Sequence, residues 1–337
     1  MIYTVGNTSL ISDYSECSME YVAEYCASKL VLGVDTETEG FDFTCKKMIM
    51  FQIGDEETQF VIDTRVVSIE PLRDVLESKE IVKIFHNAKF DYKFIKKWGD
   101  IDCEGIYDTF LTEIVITCGK KSGYGLKDLC KRYLNVELNK DVRNQFIGLT
   151  GQPFKSDQIL YGAKDVEYLC KIKELQQPTI DKYKLQNVVD LENQAVKAFA
   201  DIEYNGLDLD IEGWSKIEAM NTINADELAA SLDLMVKDDK RLDRFVAKYL
   251  QSDMFTPVEE LRDIDIKWTS PKQVLNVFKT FIPKLDNVNG KDMYKYRFRF
   301  PLIDKYVKYK EAMKLCTSYG DAFFKNLAAD NKIHTNF

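Results

Sequence analysis

The sequence predicts an α/β layer fold with a mixed sheet flanked by helices, followed by a mostly helical second part. Three observations carry this. Residues 31–62 hold three short apolar runs separated by polar turns, the pattern of an antiparallel meander. From residue 71 onward, a further apolar run is set among stretches of helical periodicity, which reads as strand–helix alternation. After Gln176-Gln177-Pro178 the strand-like runs stop and helical stripes take over. A chain of 337 residues suggests about two domains. We place them at 1–185 and 186–337.

In order, Ile2–Val5 is a short apolar piece and Met19–Leu30 a helix. Val31, Leu32 and Val34 form a buried strand that runs into polar residues. Met48–Ile53 and Gln59–Ile62 are two more strands, joined by the turn Asp55-Glu56-Glu57. Pro71–Leu76 reads as helix, Ile81–Phe85 as strand, and Asn87–Trp98 and Tyr107–Thr117 as helices. Gly119–Gly125 is a loop and Leu126–Leu134 a short helix. Asn135–Lys155, with Gly148, Gly151 and Pro153, has no firm pattern and reads as a mobile surface segment. A helix covers Asp157–Leu175. Further on, Val188, Leu191, Ala195, Ala198 and Ile202 form a helical stripe that stops at Asn205-Gly206.

Composition narrows the function classes. No apolar run approaches the ~18 residues of a membrane span. The N-terminus lacks the basic and apolar regions of a secretory signal, so the expected location is cytoplasmic. The eight cysteines are scattered without a C-x-x-C pair, and only His86 and His334 are available, which argues against zinc. A net charge of −9 argues against a coat of basic surface for duplex DNA. It is compatible with a site that concentrates acids around metal ions.

Three constellations carry chemistry. Asp35 and Glu37 are i and i+2 at a strand end, so both aim one way. Crowded carboxylates repel unless a cation lies between them, and hard oxygen ligands suit Mg²⁺ or Mn²⁺. Asn87 and Asp91 share one face of a helix start, where Asn87 could simply cap the helix. Tyr161 and Asp165 are again i and i+4 on one helical face. Four acids from three elements, with a tyrosine beside the last, make the cluster that two-metal phosphodiester hydrolysis requires. There, one ion activates a water and the other steadies the leaving oxygen.

The order DTE, N-x-x-F-D, Y-x-x-x-D resembles the DEDD 3′–5′ exonucleases with a tyrosine in the third motif, over roughly residues 20–180. The resemblance implies a ribonuclease-H-like sheet and a 3′–5′ exonuclease domain at 1–185. It implies two divalent cations, Mg²⁺ or Mn²⁺: Asp35, Glu37 and Asp165 would hold the first, and Asp35 and Asp91 the second. Glu37 and Tyr161 would position the water and Asn87 the strand end. Thr38 would touch the terminal base, and Phe41 would wedge beneath it, since bases stack on aromatic faces.

The second part resembles the start of the polymerase domain of family A DNA polymerases, phage-like or bacterial-like. The residues are Ala200–Trp214, Trp268–Leu275, Phe300–Phe323 and the IHTNF ending at Phe337. In that family this region builds the thumb, so 186–337 is expected to be thumb-like. Nothing here resembles the palm carboxylates or the fingers helix, so the chain alone is expected not to polymerise. The implied partners are a single-stranded or frayed 3′ end of DNA, and a second chain carrying palm and fingers, with no membrane. If phage-encoded, the chain would work in the host cytoplasm. Residues 291–314 carry eight Lys/Arg against three acids and are a candidate for phosphate contact. Lys46–Lys47, Lys93, Lys96–Lys97 and Lys120–Lys121 read as surface lysines that could flank the cleft. Two alternatives stand beside proofreading. One is a ribonuclease D-like exoribonuclease, suggested by Phe51–Asp63. The other is a DNA-holding polymerase subunit without catalysis.

Overall fold

The structure, a computed structural model, describes residues 1–6, 14–120, 123–138, 142–149, 151–247, 263–264, 266–319 and 321–337. A seven-stranded mixed sheet organises the first part. Its strands are β1 (Ile2–Val5), β2 (Ser15–Glu16), β3 (Val31–Thr38), β4 (Met48–Gly54), β5 (Gln59–Asp63), β6 (Val82–Phe85) and β7 (Ile106–Asp108). They lie in the order β2-β1-β5-β4-β3-β6-β7. The expected meander is present: β3 pairs antiparallel with β4, and β4 with β5. All other neighbours are parallel.

Both faces of the sheet are buried. On β5, Phe60 and Ile62 join one apolar cluster and Val61 another; on β6, Phe85 and Ile84 divide in the same way. This two-sided burial explains why the central strands read as apolar runs with little alternation. The helices are α1 (Met19–Ala27), α2 (Arg73–Leu76), α3 (Ala88–Gly99), α4 (Thr109–Thr117), α5 (Leu126–Leu129), α6 (Ser156–Tyr183) and α7 (Gln186–Asn205).

The structure corrects three expectations and gives the α7 stripe its direction. Strand β7 was hidden in the stretch read as helix from Tyr107. It is three residues long and ends at Asp108, whose carboxylate caps α4 by accepting from the Phe110 N–H. Helix α6 continues past residue 175 and carries Pro178 inside it. Packing holds that stretch on both sides: Ile180 is buried, and buried Gln176 donates to the Thr109 carbonyl at 3.0 Å. The segment 135–155 is not all surface, because Val142, Phe146 and Phe154 are buried in one cluster with Ile49 and Ile159. The stripe Val188, Leu191, Ala198 and Ile202 faces outward, while Val189, Val196 and Ala200 of the same helix are buried.

The chain divides into two compact units, Met1–Leu207 with Ala328–Phe337, and Asp208–Leu327. Helix α7 belongs to the first of these units, because it packs on α3 and β7. Buried Glu203 of α7 receives Lys89 and Lys93 of α3, and it accepts the Phe337 N–H at 2.9 Å. These bonds outweigh the burial that opposes ionisation and hold its carboxyl below the usual range.

In the second unit, α8 (Ile211–Asp238) and α11 (Pro301–Tyr319) pack together, with α9 (Pro271–Phe278) and α10 (Gly290–Tyr294) between them in sequence. Trp268, Phe278 and Tyr306 lie in its core, and the Trp268 indole donates to Asp233 at 2.7 Å. Part of the basic stretch 291–314 is neutralised locally, by Lys295–Asp292, Arg297–Asp304 and Lys308–Asp304 pairs. Among the described residues, no helix is long and apolar enough to cross a membrane.

Candidate active site

The site lies at the C-terminal ends of β3, β6 and β7, with α6 across β3. Two glycines set that closeness. A Cβ on Gly33 would stand 2.6 Å from the Val166 carbonyl oxygen. A Cβ on Gly162 would stand 2.6 Å from Gln52 Nε2. Helix and sheet therefore approach more nearly than side chains would allow, and Asp165, one turn along α6, meets the end of β3.

Asp35 and Glu37 leave β3 on the same face, opposite Gln52 and Met50 of β4, just before the pairing register shifts between Glu37 and Thr38. Asp35, Glu37 and Asp165 each offer a carboxylate oxygen, all within 4.8 Å of one another. Glu37 and Asp165 are buried. Buried carboxylates in mutual range are costly unless a cation is shared between them. An all-oxygen donor set of this kind fits a divalent ion such as Mg²⁺ or Mn²⁺.

Asp91, on the first turn of α3, is buried and outside that triple. Its Oδ1 accepts from the Thr36 backbone N–H at 3.1 Å and from the Thr36 hydroxyl at 2.7 Å. The residue between the two strand acids thus fixes the third.

Asn87 does not cap α3 with its side chain. Its backbone is left-handed, with φ 69°, and its side chain is exposed. The start of α3 is capped instead by Asp108, which accepts from the N–H groups of Asn87 at 2.9 Å and Ala88 at 2.8 Å. Burial pushes the Asp108 carboxyl upward, and its backbone donors oppose that shift. One buried side chain thereby aligns the starts of α3 and α4. A carboxylate at the end of a three-residue strand leaves no periodic trace in the sequence.

These groups line one cavity of about 470 Å³ that includes Asp35, Glu37, Asn87, Asp91, Tyr161 and Asp165. Phe41 is 72% exposed and lines it, its ring 6.4 Å from that of Phe90. Thr38 does not line it: the residue is buried and its hydroxyl donates to the Gly40 carbonyl at 2.7 Å. Sequence reading missed His86, Phe90, Phe110 and Lys127 on the cavity wall. The Thr109 hydroxyl donates to the Phe85 carbonyl at 2.9 Å, so at 3.0 Å from His86 it accepts the Nδ1–H. Three of the four lysines of α3 are engaged elsewhere: Lys89 and Lys93 with Glu203, Lys96 with Asp201. Lys121 lies outside the described residues.

Comparison with known proteins agrees with this geometry. DNA polymerase I of Aquifex aeolicus is 27% identical over 237 residues, 65% of this chain and 37% of that protein. Ribonuclease D of Bartonella henselae is 25% identical over 159 residues, 47% of this chain and 38% of that protein. This chain therefore spans well under half the length of either relative. Among solved structures, the POL domain of Pol1 from M. smegmatis aligns with a TM-score of 0.63 at 16% identity. That match covers 95% of this chain and 51% of that one. The model of the 3′–5′ exonuclease family matches residues 11–180. With that match across half the sequence, and with a mixed sheet that gathers acids at its strand ends, the chain belongs to the 3′–5′ exonuclease family of hydrolytic nucleases.

Proposed function

We propose that the first unit removes nucleotides one at a time from the 3′ end of single-stranded DNA, by hydrolysis assisted by divalent ions. The observation that carries this reading is the Asp35, Glu37 and Asp165 triple, set in one cavity with Asp91 and Tyr161. Asp35, Glu37 and Asp165 would hold an ion, and Asp91 would complete the acidic wall. A bound divalent ion supplies stabilisation of the charge that builds on the phosphoryl oxygens. Tyr161 orients the attacking water through its hydroxyl, and Glu37 accepts a hydrogen bond from the same water. Phe41 and Phe90 offer an aromatic surface to the terminal base, and Asn87 offers its amide to the strand end. Water oxygen attacks phosphorus and the bond to the upstream O3′ breaks. The products are a nucleoside 5′-monophosphate and a strand one residue shorter.

DNA is favoured over RNA by extent of likeness. The polymerase relative aligns over 65% of this chain, past residue 180, whereas the ribonuclease D relative aligns over 47%. On this reading the first unit is the proofreading exonuclease and Asp208–Leu327 the counterpart of a family A thumb. A ribonuclease D-like activity on RNA is the second reading, favoured by that relative's own match.

The test is a 5′-labelled single-stranded DNA and its RNA counterpart, incubated with the chain and Mg²⁺ or Mn²⁺, beside Asp35→Ala. The expected result is a DNA ladder shrinking from the 3′ end, abolished by the substitution and by EDTA. Cleavage confined to RNA would replace the first reading with the second. A ladder that persists in Asp35→Ala would overturn the site assignment.

A further inference from the structure

We propose that Gln52 is a positioning residue for the ion site: its amide N–H holds the Asp35 carboxylate in the orientation that binding a divalent ion needs. The proposal rests on the reading of Asp35, Glu37 and Asp165 as ion ligands. Gln52 lies on β4 and is wholly buried. Neither its Nε2 nor its Oε1 has a hydrogen-bond partner among the described residues. An amide buried without a partner destabilises a fold, and an apolar side chain of the same shape avoids that penalty. An amide in this place therefore points to a partner that it engages only when the site is loaded.

Register and packing name that partner. Gln52 stands directly opposite Asp35 of β3. Residues opposed in an antiparallel pair project to the same face, with Cβ atoms roughly 4.5–5.5 Å apart. The other sheet neighbours of Gln52 on this face offer no side-chain oxygen: Val61 on β5, and Met50 and Gly54 on β4. Above it, the Gly162 backbone of α6 closes in. A Cβ there would meet Gln52 Nε2 at 2.6 Å, Cγ at 3.0 Å and Cδ at 3.2 Å. The amide is thus confined between β4 and α6, beside Asp35. A carboxylate has lone pairs for an ion and for an N–H donor at once. Where the carboxylates of Asp35, Glu37 and Asp165 crowd together, a neutral donor fixes one of them and offsets part of their repulsion. It does so without adding a cation that would compete with the ion.

The experiment compares wild type, Gln52→Met, Gln52→Leu and Val61→Ala. Mn²⁺ affinity is read from the free-ion signal in electron paramagnetic resonance, and thermal midpoints are recorded in EDTA, so that neither readout depends on hydrolysis. Gln52→Met keeps the length of the side chain and removes the amide. The expected result is a Kd for Mn²⁺ raised about 10–100-fold, the scale on which partners of metal ligands act. Its midpoint in EDTA should stand at or above that of wild type, because the orphaned amide is gone. Gln52→Leu should weaken Mn²⁺ binding by the same factor, even where its shorter side chain lowers the midpoint. Val61→Ala loosens the packing beside Gln52 and leaves the amide in place, so its midpoint should fall while its Kd stays that of wild type. An unchanged Kd in Gln52→Met would overturn the proposal. An equal loss in Val61→Ala would also overturn it, by tracing the effect to packing alone. A wild-type chain that does not bind Mn²⁺ would overturn the ion triple and this proposal together. A wild-type chain that binds Mn²⁺ and cleaves no nucleic acid would sink the exonuclease reading alone, and the Kd series would still decide the role of Gln52.

Discussion

The hydroxyl and the backbone N–H of Thr36 both donate to one oxygen of Asp91, at 2.7 and 3.1 Å. The central residue of the strand-end triplet therefore serves the acid on α3, while its neighbours Asp35 and Glu37 face the cavity. Thr36→Val keeps the shape and removes the hydroxyl. It is expected to lower kcat on a single-stranded oligonucleotide about tenfold and to leave the far-UV circular dichroism unchanged, since one charge-assisted hydrogen bond contributes about 1.5–3 kcal/mol. Wild-type kcat would show that Asp91 holds its place without Thr36.

Gly33→Ala is expected to act on the same site from behind. The new methyl would meet the Val166 carbonyl, which is backbone and must move as a whole. Overpacking of this kind costs about 1–3 kcal/mol, and here the displaced helix carries Tyr161 and Asp165. The thermal midpoint should fall, and the Mg²⁺ concentration giving half-maximal cleavage should rise. A variant with lowered stability and an unchanged Mg²⁺ requirement would separate α6 placement from ion binding.

Lys83 supplies a pH test away from the site. It is buried on β6 and donates to the carbonyls of Ile81 at 2.7 Å, Val75 at 3.1 Å and Ser78. Burial pushes its ammonium down to about 8 from an ordinary 10.5. Between those values the unfolded chain binds the proton and the folded chain releases it. The stability contributed by neutral Lys83 is present above pH 10.5 and is lost as pH falls through 8. The urea midpoint of wild type relative to Lys83→Met should therefore shift in favour of wild type between pH 7.5 and 10. A difference that stays flat over that range would mean that Lys83 titrates as an ordinary surface lysine.

Glu203→Ala is expected to destabilise the first unit by about 3 kcal/mol, because it strips one acceptor from two lysines and a backbone N–H at once. Denaturant titration measures this. A loss below about 0.5 kcal/mol would place these contacts with ordinary surface pairs.

The pairs Asp35 with Glu37 and Tyr161 with Asp165 were legible because each sits on an element whose period is known, whereas Asn87 lies before α3 with a left-handed backbone and lines the cavity without that period. An i, i+2 pair must share a strand face and an i, i+4 pair a helical one. Ion pairs and caps buried within the fold were not legible. Glu203 and Asn193 lie on the buried side of α7, which the apolar stripe Val188, Leu191, Ala198 and Ile202 does not mark. Asp108 looked like part of a helix because its function depends on two backbone segments far apart in sequence.

Glu203 also has a consequence for how the protein is made. The unit that holds it is discontinuous: Phe337 and His334 reach it from beyond Asp208–Leu327, a stretch of 120 residues. At roughly 5–20 residues per second, synthesis delivers that second piece roughly 6–24 s after the first. Until then Glu203 lacks part of its shell, and the nascent nuclease must wait with one side open. Removing the helical unit by simply shortening the gene would leave it in that state for good. Excising residues 208–327 and rejoining the flanks would keep both halves of the contact.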